Sequence, residues 1–276
     1  MGSPLLALWR TRDILWLLIR RELKVRYASS KLGYIWTILD PLLTCLVFWL
    51  IFGVIFAGAR DDGVDTPYIV FLIAGYLPWM AISGSITDSA RSLSSEAKLV
   101  RSTSLPRELW LLRVIGAKCC ELVLSVPVLL VFMLGFRLVG DPVGFSANVV
   151  YLPVAFVMMI LPLVGIGLAL APLCVLFSDL IRIVRIVVRL LFYMTPVLYG
   201  SSRVTDQLDK EGLTLISHLY FLNPFVAVID LYRSALSSNP LPSWQDCALS
   251  LTVSLVLVAV GTVIFRRLEG AVLKEI

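Results

Sequence analysis

Residues 20–58 pass through three environments in order. Arg20-Arg21-Glu22-Leu23-Lys24-Val25-Arg26-Tyr27 carries a dense block of fixed positive charge. Lys31-Leu32-Gly33-Tyr34-Ile35-Trp36 follows as an aromatic, glycine-containing turn, and Asp40-Pro41 then opens an apolar run that reaches Gly58. Cations, interfacial aromatics and a bilayer-length apolar run, in that order, mark a chain entering a membrane from its cytoplasmic face. Hydrophobic residues make up 59% of the chain and charged residues only 16%, where a soluble domain carries nearer about 25% charge, so the composition points to the membrane class. The net charge of +5 is read through the position of the charges, not as a nucleic-acid signal.

Further apolar runs extend the pattern. About 20 apolar residues cross a hydrocarbon core of about 30 Å. Spans are expected at 35–57, 68–87, 111–136 and 149–177, with a fifth segment centred on 190–200 and a last span at 247–265. Between the fifth and the last lie two half-length apolar pieces, 213–222 and 225–236, hinged on Asn223-Pro224. Neither half is long enough to cross, so the pair reads as a re-entrant or interfacial hairpin. The sequence therefore predicts an all-α membrane protein of six transmembrane helices, in which residues 35–276 form the membrane domain and 213–236 an external hairpin.

Residues 1–34 form a separate segment. Leu5, Leu8, Trp9, Ile14, Leu15, Leu18 and Ile19 mix with Arg10, Arg12, Arg20, Arg21, Lys24 and Arg26, which suits an amphipathic helix in the headgroup plane. An ordinary cytoplasmic helix packed on the protein is the alternative. The run at 14–19 is too short and too closely flanked by arginine for a cleavable leader, and Leu6 stands where a myristoylation start needs Ser or Thr.

Charge asymmetry orients the chain. With the N-terminus inside, 19 of the 24 Lys and Arg residues fall on the cytoplasmic side, in 1–34, 91–118, 182–189 and the tail. Asp61, Asp62, Asp65, Asp206, Asp209 and Glu211 fall outside. Both termini are thus expected in the cytoplasm of a multi-pass inner-membrane protein. The polar segment 91–107, with Glu96, Lys98, Arg101, Arg107 and neighbouring Glu108 around Pro106, reads as a short helix ended before the proline. Lys118 and Glu121, three apart within the third run, are spaced to pair on one helix face.

Several chemistries are missing. No G-x-x-x-x-G-K-[ST] loop, dinucleotide fingerprint or G-x-S-x-G elbow occurs, so an ATP-driven activity needs another chain. His218, the only histidine, reads as a polar interfacial residue. Cys45, Cys119, Cys120, Cys174 and Cys247 sit in or beside apolar runs as small hydrophobes, with no metal spacing. The acids Asp40, Asp88, Glu96, Glu108, Glu121 and Asp179 are too scattered for the paired carboxylates of a membrane enzyme of lipid-linked sugars.

Two sets of residues suggest a transport path. Arg182, Arg185 and Arg189 fall at i, i+3 and i+7, one stripe of a helix that suits a lipid pyrophosphate by bidentate hydrogen bonding; snorkelling to the inner leaflet is the alternative. Tyr34, Trp36, Phe48, Trp49, Phe52 and Phe56 crowd the first span, and Phe192, Tyr193 and Tyr199 the fifth. Such rings stack on the C–H faces of sugars, and equally form interfacial belts or pack in the core.

The order Arg21-Glu22-Leu23-Lys24-Val25-Arg26-Tyr27, Leu32-Gly33-x-x-Trp36, Asp40-Pro41-Leu42-Leu43, Gly75-Tyr76-Leu77-Pro78-Trp79 and Ser104-Leu105-Pro106-Arg107-Glu108 resembles the type-two ABC exporter permeases. The likeness covers nearly the whole chain and is greatest to the polysaccharide and polyol branch, the O-antigen, galactan and teichoic acid permeases. That resemblance implies a half-transporter: two copies of this chain with two ATP-binding subunits that hold the ATP and Mg²⁺, and no cofactor in this chain. It implies contacts to the ATPase from the N-terminal segment and from a coupling helix in 91–107, where Lys98 and Arg101 only approximate the usual basic residue. It also implies an external gate at 213–236, a path lined by the first and fifth spans, and a polyprenyl-pyrophosphate-linked glycan as cargo. A drug or small-lipid exporter of the same family is the alternative cargo class.

Overall fold

A computed structural model describes residues 11–28, 30–55, 67–103, 105–139, 147–236 and 240–275. The described chain is helical almost throughout and contains no strand among the described residues. An amphipathic helix, α1 (Arg12–Ala28), leads through a turn in which Gly33 has φ of +51°, a left-handed conformation that glycine adopts without a Cβ clash. Five helices are long and apolar enough to cross a bilayer: α2 (Gly33–Ile55), α3 (Tyr68–Ser89), α5 (Glu108–Val139), α6 (Ala147–Leu176) and α11 (Trp244–Glu275). Shorter helices fill the connections: α4 (Ala97–Ser102), α7 (Leu180–Met194), α8 (Ser201–Lys210), α9 (Thr214–Tyr220) and α10 (Pro224–Leu236).

The helices differ in how far they are covered. The most apolar window of α3 is 78% buried and that of α2 only 11%, so α3 is the axis of the bundle and α2 its rim. A helix apolar on every side is stable in the centre because it has no polar face to keep wet. Around α3 pack α2, α5, α6, α7 and α10. The most extensive pair is α6 with α11, where backbones meet. A Cβ on Gly165 would lie 2.5 Å from the Leu257 carbonyl carbon, and one on Gly261 would overlap the Gly165 carbonyl oxygen. Small residues at such a crossing replace the hydrophobic drive that lipid does not supply.

Two sequence expectations shift. The third span is a 32-residue helix starting at Glu108, about 48 Å long at 1.5 Å per residue, so its charged first turns project beyond the hydrocarbon. The expected fifth span is α7, 15 residues and about 22 Å long, and it is not among the five long apolar helices. It stops because Thr195 precedes Pro196, whose ring disfavours helical geometry in the residue before it, and Thr195 is extended (φ −101°, ψ 139°). The two half-length pieces do form short helices, α9 and α10, about the Asn223-Pro224 hinge. Asn223 Oδ1 accepts the Phe225 N–H (3.1 Å), while its amide nitrogen donates to Thr195 Oγ1 (2.9 Å). One side chain thus fastens the hinge to the end of α7.

Candidate functional site

At one end of the bundle, α1, the last turns of α3, the turn before α4 and the first turns of α5 converge on a charge cluster. Arg26 meets Glu22 (3.2 Å) on α1, Asp88 (2.9 Å) on α3 and Glu121 (3.5 Å) on α5. Lys118 closes the group on Glu121 (2.8 Å) and Asp88 (3.7 Å). Arg113, its side chain only 3% exposed, bridges Glu22 (3.4 Å) and Glu96 (3.1 Å), and Arg21 also reaches Glu96 (3.5 Å). Four cations interleave four carboxylates, which is the condition for holding charge out of water without an unpaired ion. Tyr27 donates its hydroxyl to Glu121 (3.1 Å); burial, and then the adjoining carboxylate, push its pKa up, so it stays a donor.

Beside this cluster a cavity of about 230 Å³ opens between α2, α3 and α5, lined by Tyr27, Trp36, Asp40, Lys118 and Glu121. The Tyr34 ring lies 4.8 Å from that of Tyr27, so the turn at Gly33 carries an aromatic pair to the rim of the cavity.

The coupling residues divide into two groups. Lys98 and Arg101 on α4 are exposed. Glu96 is engaged within the cluster, and Arg107 pairs with Glu269 of α11 (2.8 Å). Glu108 lies in the first turn of α5, where the helix dipole favours a carboxylate.

The aromatic residues divide similarly. Phe48 stacks on Phe192 (6.1 Å between centroids) and meets Tyr76 edge-on (5.9 Å), while Trp79 tilts over Phe192 (5.7 Å). These rings join α2, α3 and α7 in one packed seam. Tyr76 and Trp79 join the seam beyond the aromatic residues expected from the first and fifth spans, and their i, i+3 spacing in Gly75-Tyr76-Leu77-Pro78-Trp79 is the legible signal for it. Tyr34, Trp36, Trp49, Phe52 and Tyr193 are exposed. Tyr199 donates to the Tyr193 carbonyl (2.6 Å). Phe56 lies outside the described residues, as do residues 1–10, the acidic run 60–65, Ser104 and the His218 side chain.

On α7, Val184 and Val188 are buried while Arg182, Arg185 and Arg189 stand exposed on one stripe. None of the three has a carboxylate partner among the described residues. Exposed Ile183, Ile186, Leu190 and Met194 flank them, so an apolar, basic surface faces away from the rest of the chain.

At the opposite end of the bundle lies a buried arginine that no local sequence pattern marks. Arg233 of α10 has a 2% exposed side chain and donates to the carbonyls of Val197 (2.5 Å) and Tyr199 (2.9 Å). Its guanidinium carbon lies 3.7 Å from the Phe71 ring centre, a cation–π arrangement. Gly75 makes room, since a Cβ there would come within 2.6 Å of Nη2.

A central buried helix, a ring of long apolar helices and a neutralised ionic girdle at one end define a polytopic membrane protein, with a hinge at Asn223-Pro224 fastened to the end of α7. The chain belongs to the ABC-2 type transporter family, whose model matches residues 14–237. It is 32% identical, over 96% of both chains, to the O-antigen export system permease protein RfbA of Myxococcus xanthus. It is 27% identical to the protein of the same name in Klebsiella pneumoniae, over 93% of this chain and 92% of that one. To the polysialic acid transport protein KpsM of Escherichia coli it is 24% identical, over 93% of each.

Proposed function

We propose that this chain is the membrane permease of an ATP-driven polysaccharide exporter, and that its cargo is a lipid-linked cell-envelope glycan such as an O-antigen or galactan. The observation that carries this reading is the 32% identity to an O-antigen export permease along 96% of both chains. Two copies pair with two ATP-binding subunits, which supply the ATP and Mg²⁺. The bare face of α7 supports pairing, because lipid covers an apolar face such as that of α2 but not a row of arginines set among apolar groups. The excess of Lys and Arg at the charged end supports a cytoplasmic placement of that end, with both termini on the same side of the inner membrane. α7 serves as the sixth, shortened crossing, and the α9 and α10 hairpin as the external gate.

In this arrangement Lys98 and Arg101 are free to dock the ATPase, and Glu96 passes its displacement through Arg113 to α1 and α5. The arginine stripe of α7 receives the pyrophosphate, for which the guanidinium fork is suited. Tyr34 and Trp36 narrow the inner mouth, and Phe52, Tyr193 and Tyr199 offer rings along the path. Depleting the chain in its host is expected to empty the cell surface of its glycan and accumulate the lipid-linked form on the cytoplasmic leaflet. An unchanged surface glycan retires the reading.

A further inference from the structure

A second cavity, about 400 Å³, lies at the end of the bundle away from the ionic cluster, between the first turns of α8, one face of α10 and the chain leading into α11. Its volume falls within the roughly 300–1,000 Å³ of small-ligand sites. Asp230 and Asp246 face it from two different elements, with Ser201, Ser202 and Thr205 on a third. The Phe221 and Phe71 rings complete the wall.

The charges in this wall are unevenly matched. Arg233 directs its guanidinium to the Val197 and Tyr199 carbonyls and to the face of Phe71, and it pairs with Asp230 at 3.9 Å, which leaves Asp246 without an arginine in the wall. Asp230 shares its wall with Ser201. Asp246 accepts from Ser243 Oγ (2.6 Å), which caps the start of α11. A carboxylate has about four acceptor sites, so each of these two lining residues retains acceptor capacity. Two carboxylates against one arginine leave the lining net negative, which repels phosphate, pyrophosphate and acidic sugars. Paired acceptors, hydroxyls that both donate and accept, and an apolar ring are the complement of a sugar: hydroxyls around its rim, C–H groups on its faces.

We infer that this cavity binds a neutral sugar unit of the glycan on its way out, with Asp230 and Asp246 accepting hydrogen bonds from sugar hydroxyls and Phe221 meeting a C–H face. Arg233 is a positioning residue that holds α10 against α3 and the 195–200 turn. The inference rests on the polysaccharide reading and adds a discriminating site remote from the arginine stripe.

The test uses the permease with its ATPase in nanodiscs, carrying Ser202→Cys, with Cys120 and Cys247 replaced by Ser, and follows maleimide labelling of the new thiol. Ser202 is exposed on the cavity rim, so the thiol reports occupancy. The probe is a set of neutral di- to tetrasaccharides cleaved from the host's own surface polysaccharide. Labelling is expected to slow about tenfold when the fragments reach about ten times their dissociation constant. Adding Asp246→Asn, or Asp230→Asn, is expected to abolish that protection while elution as an intact complex is unchanged. Absence of protection, or protection by inorganic pyrophosphate or acidic fragments instead, overturns the site. If depletion of the chain still traps glycan in the cytoplasmic leaflet while fragments give no protection, only the cavity assignment fails. If depletion leaves surface glycan untouched, the export reading fails first.

Discussion

Arg113 shows how much one side chain holds at the charged end. It is almost fully covered, and two carboxylates from different elements, Glu22 and Glu96, lean on it. Removing the buried member of an ionic group costs about 3–5 kcal/mol when its partners are stranded, and less here, because Glu22 keeps Arg26 and Glu96 keeps Arg21 while the cluster is left with excess negative charge. Arg113→Met is expected to lower the thermal unfolding midpoint of the purified permease clearly. Adding Glu22→Gln and Glu96→Gln to the same variant is expected to recover most of the loss, since the stranded charges then disappear. A triple variant as unstable as Arg113→Met would show that the contact of the guanidinium with the Trp110 ring, 5.2 Å from its centre, sets its value instead.

At the scale of elements, α7 is the one whose form departs most from a transmembrane helix. Its arginines and several bulky apolar residues occupy the exposed surface, while Val184, Val188 and Phe192 hold it to the bundle. An exposed basic stripe contributes little to stability, because water and lipid headgroups already solvate it. Arg185→Gln with Arg189→Gln is therefore expected to leave expression and insertion unchanged. The same pair is expected to cut glycan-stimulated ATP hydrolysis by the complex severalfold, with basal hydrolysis intact. Full stimulation in the double variant would assign the stripe to headgroup contact alone. The α6 and α11 pair is the opposite case: Gly165 and Gly261 bring the two backbones into direct contact, so a side chain at either position has no room.

For the whole molecule, the uncovered faces decide the assembly. α2 keeps only 11% of its apolar window buried, and α7 presents Ile183, Ile186 and Leu190 outward. Lipid can cover α2, but a row of arginines among the apolar groups of α7 favours a second copy or a hydrated path. Ile186→Cys is expected to give a covalent dimer with a short bis-maleimide in membranes when the ATPase is at rest. Failure at Ile186, Leu190 and Tyr193 alike would place α7 against lipid and overturn the paired path.

Membrane class, helix positions, the amphipathic start and the family could all be read along the chain, because a bilayer demands long apolar runs and local backbone hydrogen bonds. The hinge at Asn223-Pro224 and the pairing of Lys118 with Glu121 were equally local, since both depend on neighbours a few residues away. The stop at Thr195 was also written in the sequence, in the proline that follows it, but the apolar run from 190 to 200 masked it. Tertiary structure alone decided the rest. It brought Arg26 to Asp88 and Glu121, Arg107 to Glu269, and Arg233 to the gap above Gly75, from 62 to 162 residues apart in the first and third of those ionic contacts. Periodicity along one helix shows which face is apolar; it carries no record of which distant helix will supply the counter-charge or the open space.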